Sequence, residues 1–509
     1  MRKFLSVFIL FSLLFTSESF AFEKETLAFS ENSSGIVFDV NKLSFGSASG
    51  EYDEAKHPLV AIGGMLAFSE LLYSYNRWVC NAPWAQTGYN EYNKFWTREL
   101  KWDNDWYWTN FVLHPYQGGL YYMAARGSNL NQLESFGVTV LGSSIWEYLC
   151  ETNAPSKNDM VYTTLGAFAV GEMLYRLSQE ANEISRILGV ALNPQRLWTE
   201  YLWGINQKPS SGNIYAMTAS LGAGTARANT KFSDSKFDEE IFSLPKSKRN
   251  EIFPAFGSVD VDIAYRDPYT HDSNTPYDQF EFFMQVGLGK SSDMGAHCQY
   301  EDLDEKLFYD IQLITNGSLI SRSIQGENTD TSFGLVFEYD FDWHSFYQIS
   351  SLAPGFAIKQ RIKKDSSKIE WQAHFDGVVL GTADSYYEKR KFIKDAHSDS
   401  AEYSARPYSY NSGFENLLKF KYATDSGHTL ALDFRGYALY DFSNQLISGM
   451  DTGWELFGNL KASYELPLSE TVRLGVSDEL YAKKTFFNKF ENYRQVLNTA
   501  KVFVKLKLK

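Results

Sequence analysis

The stretch TSFGLVFEYDFDWHSFYQIS, residues 331–350, puts Phe333, Leu335, Phe337, Tyr339, Phe341 and Trp343 at every second position, with Glu338, Asp340, Asp342 and His344 on the alternate ones. Side chains point to opposite faces of a strand with a period of two, so this segment predicts a strand with one apolar and one polar face. The same alternation recurs in SVDVDIAY (258–265), HTLALDFRGYALYDF (428–442) and the closing KVFVKLKLK, where Val502, Val504, Leu506 and Leu508 oppose lysines. Further strands are expected near 213–224, 279–289, 305–325, 354–363, 368–381, 414–424, 453–466 and 469–483. That makes about 12 strands, spread over residues 209–509.

Strand length separates the two all-β solutions. Soluble sandwiches favour strands of about 5–6 residues, whereas a tilted strand that crosses a bilayer needs about 9–11. Most of these candidates are of the longer kind, and only closure satisfies every backbone group in lipid. Short turns (LAPG at 352–355, ELPLSE at 465–470) alternate with long polar segments such as 382–413, which is the loop asymmetry of outer-membrane barrels. The expected fold is therefore α+β, an antiparallel transmembrane β-barrel preceded by helices, with a soluble lipid-binding barrel as the alternative. The chain closes on Lys509, where such barrels commonly finish on an aromatic residue.

The amino terminus, MRKFLSVFILFSLLFTSESFAFEKE, has Arg2 and Lys3 ahead of an apolar run and small residues at Ser19 and Ala21. This pattern is that of a secretory signal over residues 1–21, too short in its apolar part to span a bilayer. Export and a barrel together predict the outer membrane of a Gram-negative-type bacterium, with outer-membrane lipids and the barrel-assembly machinery as partners. Aromatic residues make up 16% of the chain, suited to a water–lipid boundary. A net charge of -14 argues against nucleic acid as a partner. Cys80, Cys150 and Cys298 have no metal-ligand spacing, and a disulfide between Cys80 and Cys150 is the preferred pairing in an oxidising compartment.

Residues 57–208 change period. HPLVAIGGMLAFSELLYSYNRW (57–78), QLESFGVTVLGSSIWEYLCE (132–151), SKNDMVYTTLGAFAVGEMLYRLSQE (156–180) and EISRILGVALNPQRLWTEYLWG (183–204, broken at Pro194) read as helices. Ser156 can cap the third of these through the amide of Asp159, which adds charge to the first turn. No apolar run here reaches about 18 residues without a charge, so the helices are expected to be poor membrane spans that something must cover. Repeated glycines (Gly63, Gly64, Gly118, Gly119, Gly142, Gly166, Gly171) point to close helix approach. A bundle that plugs the lumen or caps the barrel mouth meets these demands. Residues 22–56 form an extended lead, in which GIVFDVNKLSFG (35–46) can add a strand.

NFVLHPYQGGLYYMAARG, LGSSIWEYLCE and PSKNDMVYTTLGAFAVGEMLYRLS together resemble an uncharacterised bacterial envelope family, domain-of-unknown-function family 3943. Its pattern is HPY-x-G-x-x-YY, then a W-E pair, then a P-S-x-N-D helix start. The resemblance runs from about residue 60 to 180 and implies an exported protein with a helical core joined to outer-membrane-type strands; it implies no reaction. A weaker similarity to VanZ-like membrane proteins rests on Glu147, Asp159, Gly166 and Gly171. Cys150, Lys157 and Thr163 depart from that outline, so it speaks only to helix-hairpin shape.

An apolar bundle must pair its charges. His114 and Tyr121 share a face if Pro115 opens the helix, Glu147 and Glu151 are four apart, and Glu172 precedes Arg176 by four, the favourable order for an ion pair. His114, Glu147, Glu151 and Tyr121 are the catalytic candidates, since neighbouring carboxylates can raise one another's pKa. Asp159, Glu172, Arg176 and Arg126 are the structural polar residues, with Arg126 a possible partner of the glutamates. No GxSxG, HExxH, Walker or dinucleotide motif is present, no metal or cofactor is expected, and SLGAGTA (220–226) lies in strand. The sequence thus favours a non-enzymatic envelope, transport or lipid-handling protein, with an outer-membrane enzyme acting on lipid or lipopolysaccharide as the alternative.

Overall fold

The computed structural model describes residues 52–94, 97–103, 105–210, 212–232, 250–290, 307–385, 408–442, 452–488 and 492–509. The signal segment, the 35–46 strand and Cys298 lie outside these residues.

Among the described residues seven α-helices come first: α1 (Pro58–Ser74), α2 (Tyr89–Lys94), α3 (His114–Gly127), α4 (Gln132–Ile145), α5 (Lys157–Val161), α6 (Ala167–Ile184) and α7 (Arg186–Leu192). Wider π-turns extend four of them: Tyr75–Val79 after α1, Thr109–Leu113 before α3, Trp146–Cys150 after α4, and Tyr162–Gly166 between α5 and α6. The start signals are local. Asn131 and Glu134 form a reciprocal capping box at α4, and Ser156 accepts from the Asp159 amide at 3.1 Å, as the spacing predicts. The helix containing Pro115 begins earlier than expected, because the π-turn at 109–113 runs straight into α3. Close approach at the glycines holds: a Cβ on Gly118 would sit 1.9 Å from the Thr163 carbonyl oxygen, and one on Gly171 would meet the Gly119 Cα at 3.1 Å.

Twelve antiparallel strands follow: β1 (Ile214–Phe232), β2 (Asn250–Tyr265), β3 (Phe280–Lys290), β4 (Leu307–Gln325), β5 (Thr329–His344), β6 (Gln348–Lys364), β7 (Ser367–Asp384), β8 (Tyr408–Thr424), β9 (Thr429–Asp441), β10 (Gly453–Pro467), β11 (Val472–Phe487) and β12 (Tyr493–Lys507). Each pairs with its neighbour and β12 pairs with β1, closing the barrel. Two boundaries correct the sequence reading. The alternation of 331–350 is interrupted by a hairpin at 345–347, and LAPG (352–355) is no turn: it lies within β6, where the register with β7 slips between Leu352 and Gly355. Proline is tolerated at such a bulge, where the ladder is already broken.

Contacts between non-adjacent strands identify the inside of the barrel. Arg435 of β9 pairs with Glu338 and Asp340 of β5, four strands away, and Tyr347 from the 345–347 turn stacks on Tyr481 of β11 at 4.2 Å. Inward-facing charged residues, among them Glu338, Asp340, Asp376, Glu415, Glu455 and Lys483, are buried against one another. The opposite face carries exposed apolar side chains around the wall: Leu221 and Val259, Phe333 and Leu335, Phe356, Phe375, Leu418, Leu432, Leu456, Val476 and Val502.

The helices pack on that outer face. Phe337, Tyr339 and Phe341 share the outward parity of the exposed Phe333 and Leu335 yet are buried, in one cluster with Tyr107, Phe111, Tyr162, Ala169 and Met173 of the helical region and Tyr408 and Tyr410 of β8. The Tyr339 hydroxyl donates to the Phe111 carbonyl and Tyr162 to the Leu380 carbonyl at 3.3 Å. The helical region is present as expected, and its described residues pack against the outer wall of the barrel. The reason lies in the polarity of the two barrel faces: the bundle's apolar side matches the oily outer wall, while the inward face carries charged residues such as Glu338, Asp340 and Arg435.

The far side of the bundle is apolar and exposed among the described residues. Leu59, Leu66, Leu71, Tyr75, Trp78 and Val79 are exposed on α1 and its π-turn, as are Leu133, Val140 and Leu141 on α4. The segment Pro58–Val79, 22 residues, is long and apolar enough to cross a membrane by length and composition. It carries Glu70 and Arg77, so the expectation that no run of about 18 residues is free of charge stands. Cys80 and Cys150 are free thiols, which corrects the expected disulfide. Each ends a separate π-turn, and Cys150 is packed in an apolar cluster with Tyr73, Ala85 and Trp146.

Candidate functional site

A buried polar cluster forms where α3, α4 and α5 converge beside β8. The π-turn before α3 leads into His114, the π-turn after α4 carries Glu147, and the first turn of α5 presents Asn158 and Asp159. His114 Nε2 lies 3.7 Å from Asp159 Oδ1, and its Nδ1 lies 3.3 Å from the Thr163 hydroxyl. Glu147 Oε2 accepts from the Ser156 amide at 2.8 Å. His114, Glu147 and Asp159 each place one possible ligand atom within 4.8 Å of the other two, a donor set that could hold a metal ion.

Three further residues complete the cluster. Asp103 Oδ1 accepts from Asn158 Nδ2 at 2.8 Å and from Asn110 Nδ2 at 2.9 Å. Asn110 also donates to the hydroxyls of Tyr408 and Tyr410 at 3.0 and 3.2 Å, which ties the cluster to the barrel wall. Burial works to raise Asp103, but hydrogen bonds from the Asp159 carboxyl and the Asn158 amide hold it below the ordinary carboxylate range. Asp103 lies in the segment KWDNDWYW, where only the mixture of acid and aromatic residues marks it. Asn158 stood within the P-S-x-N-D motif without being singled out.

The expected catalytic residues do not all meet. Glu151 leaves the helix with φ -125° and ψ 143°, so it no longer shares a face with Glu147, and it accepts instead from the Trp146 indole at 2.7 Å. Burial pushes Glu151 up to about 8, against the lowering effect of that indole. Tyr121 is fully buried, its hydroxyl taken by Gln117 at 2.7 Å and Ser69 at 2.9 Å. Arg126 serves neither Glu147 nor Glu151: it pairs with Glu172 at 2.8 Å, and Arg176 meets the same carboxylate at 2.9 Å, the predicted i, i+4 pair. His114 is 7% exposed and beyond hydrogen-bond distance of any carboxylate in the cluster. Two open clefts lie elsewhere. One, of about 320 Å³, is an apolar groove on the outer wall lined by Trp371, Leu418, Phe420, Leu432, Phe434 and Leu460. The other, of about 360 Å³, is a polar recess at the end of the bundle beside Lys56, Arg126 and Gln207.

Among solved structures, a FadL homologue of Pseudomonas aeruginosa is 9% identical, with 57% of this chain and 90% of that one covered and a TM-score of 0.24. Outer membrane phospholipase A of Escherichia coli is 12% identical, covering 58% and 90%, with a TM-score of 0.23. The toluene transporter TodX of Pseudomonas putida is 8% identical, covering 58% and 89%, with a TM-score of 0.23. No curated protein matches the chain. Residues 99–226, which carry His114, Glu147, Asp159, Asp103 and Asn158, match the family model described as Domain of unknown function (DUF3943).

Proposed function

We propose that this chain is a non-enzymatic protein of the outer membrane, with a structural or lipid-handling role, whose working surface is its lipid-facing outside. The observation that carries this reading is the burial of Phe337, Tyr339 and Phe341 on the outward face of β5 beneath the helices, while the bundle's far side exposes Leu59, Leu66 and Leu71. A surface of that composition next to a closed barrel is compatible with lipid on both bodies. The apolar groove beside Trp371 and Phe434 suits an acyl chain. A lumen crossed by the Arg435 ion pairs and the Tyr347–Tyr481 stack argues against a wide pore.

Three measurements test this together. The protein should fractionate with the outer membrane, migrate faster on gels when unheated than when boiled, and give no steady porin-like conductance in planar bilayers. Recovery as a detergent-free soluble monomer, or a large stable conductance, contradicts the reading. The convergence of His114, Glu147 and Asp159 favours a second reading, an enzyme acting on lipid or lipopolysaccharide. A change in envelope lipid composition on His114→Ala, with the barrel still folded, would establish that reading in place of the first.

A further inference from the structure

Within the lumen, four carboxylates crowd one guanidinium. Arg435 pairs with Glu338, Asp340 and Glu415, the last at 2.8 Å. Asp376, on β7 at the same level, is fully buried, and neither of its oxygens has a hydrogen-bond partner. His374, two residues earlier on the same inward face, is 2% exposed, and its Nε2 is also unpartnered. One ring nitrogen of His374, one oxygen of Glu338 and one of Asp376 lie within 4.8 Å of each other. Asn316 Nδ2 donates to both His374 Nδ1, at 2.9 Å, and Glu338 Oε2, at 2.7 Å, which holds the two side chains next to each other.

A buried carboxylate with no partner is costly, and it must either take up a proton or hold a cation. An imidazole beside two carboxylates is a donor set for a first-row divalent ion, since calcium and magnesium favour all-oxygen shells. We propose that the barrel lumen binds one divalent ion of the zinc class between His374, Asp376 and Glu338. Such an ion cross-links β5 to β7 on the inside of the wall at the level where the bundle presses on its outside, and leaves the local charge close to balanced.

The test uses the full chain folded in detergent and stripped with a chelator, then titrated with Zn²⁺ and assayed by metal analysis after dialysis. One zinc per chain is expected, with a rise in the temperature at which the barrel loses its fast-migrating form. Asp376→Asn and His374→Gln should each weaken zinc binding at least tenfold, whereas His428→Gln, in the turn between β8 and β9, should bind as the parent does; excess Ca²⁺ should not displace the zinc. If either lumen variant fails to reach the fast-migrating form, the other decides the outcome. The proposal is overturned if the parent retains no zinc at micromolar concentrations, if the lumen variants bind it undiminished, or if it is lost from His114→Ala instead.

Discussion

Tyr107 stacks on Phe341 with ring centroids 5.2 Å apart and planes inclined by 24°, and Phe341 is on the outward face of β5. The helices are thus fastened to the barrel by aromatic packing across its outer wall. Truncation should show it. Phe341→Ala should cost about 3–5 kcal/mol of docking, as for other buried aromatics, and Phe333→Ala, on the exposed part of the same face, should cost far less. Protease sensitivity of the helical region in otherwise folded barrels distinguishes the two.

Gly118 is where the bundle tolerates no side chain. With its added Cβ meeting the Thr163 carbonyl at 1.9 Å, Gly118→Ala must push α3 away from the α5–α6 segment. A loss of about 1–3 kcal/mol is expected, read as a lower melting temperature of the helical circular-dichroism signal.

Glu172 is fully buried between Arg126 and Arg176. Glu172→Ala leaves two guanidiniums facing each other and should destabilise the bundle by about 3–5 kcal/mol. Replacing one arginine, Arg176→Met, should cost less, because Arg126 still neutralises the carboxylate and Asp278 keeps its contact with Arg266 at 2.5 Å. Chemical denaturation of the three proteins side by side checks the order.

Glu151 gives a pH signature. Its folded pKa of about 8 lies above the value near 4.3 of a free glutamate, so the folded bundle holds a proton that the unfolded chain has released. The stability linked to this proton is fully present below about pH 4 and is lost as pH rises towards 8. Thermal melts of the bundle from pH 5 to pH 9 should therefore fall with pH, and Glu151→Gln should flatten the slope.

The barrel was legible because its signal is repeated: each strand carries the period of two, and the strand count follows from the turns between them. The hairpin at 345–347 escaped because Phe346 and Tyr347 turn inward and continue the apolar composition of the strands they separate. LAPG misled for the opposite reason, as a bulge uses the same residues as a turn. Helix caps and the Glu172–Arg176 pair are short-range and were read correctly. The placement of the bundle was not, since an apolar helix face looks the same whether it faces a lumen, a wall or lipid. Asp103, Asn110 and the two β8 tyrosines join His114 across almost 300 residues of chain, which no local pattern encodes. The Glu147–Glu151 face was lost to a π-turn, a feature set by tertiary packing.

Where the helices sit is tested most directly by short-range cross-linking. In a chain with its three native cysteines replaced by serine, Tyr107→Cys is combined with Phe341→Cys or with its inward-facing neighbour Asp340→Cys, and the purified barrel is treated with a short bismaleimide. Efficient linkage of Tyr107→Cys to Phe341→Cys and none to Asp340→Cys is the predicted result. Linkage to Asp340→Cys in its place would put the helices inside the barrel and contradict the account.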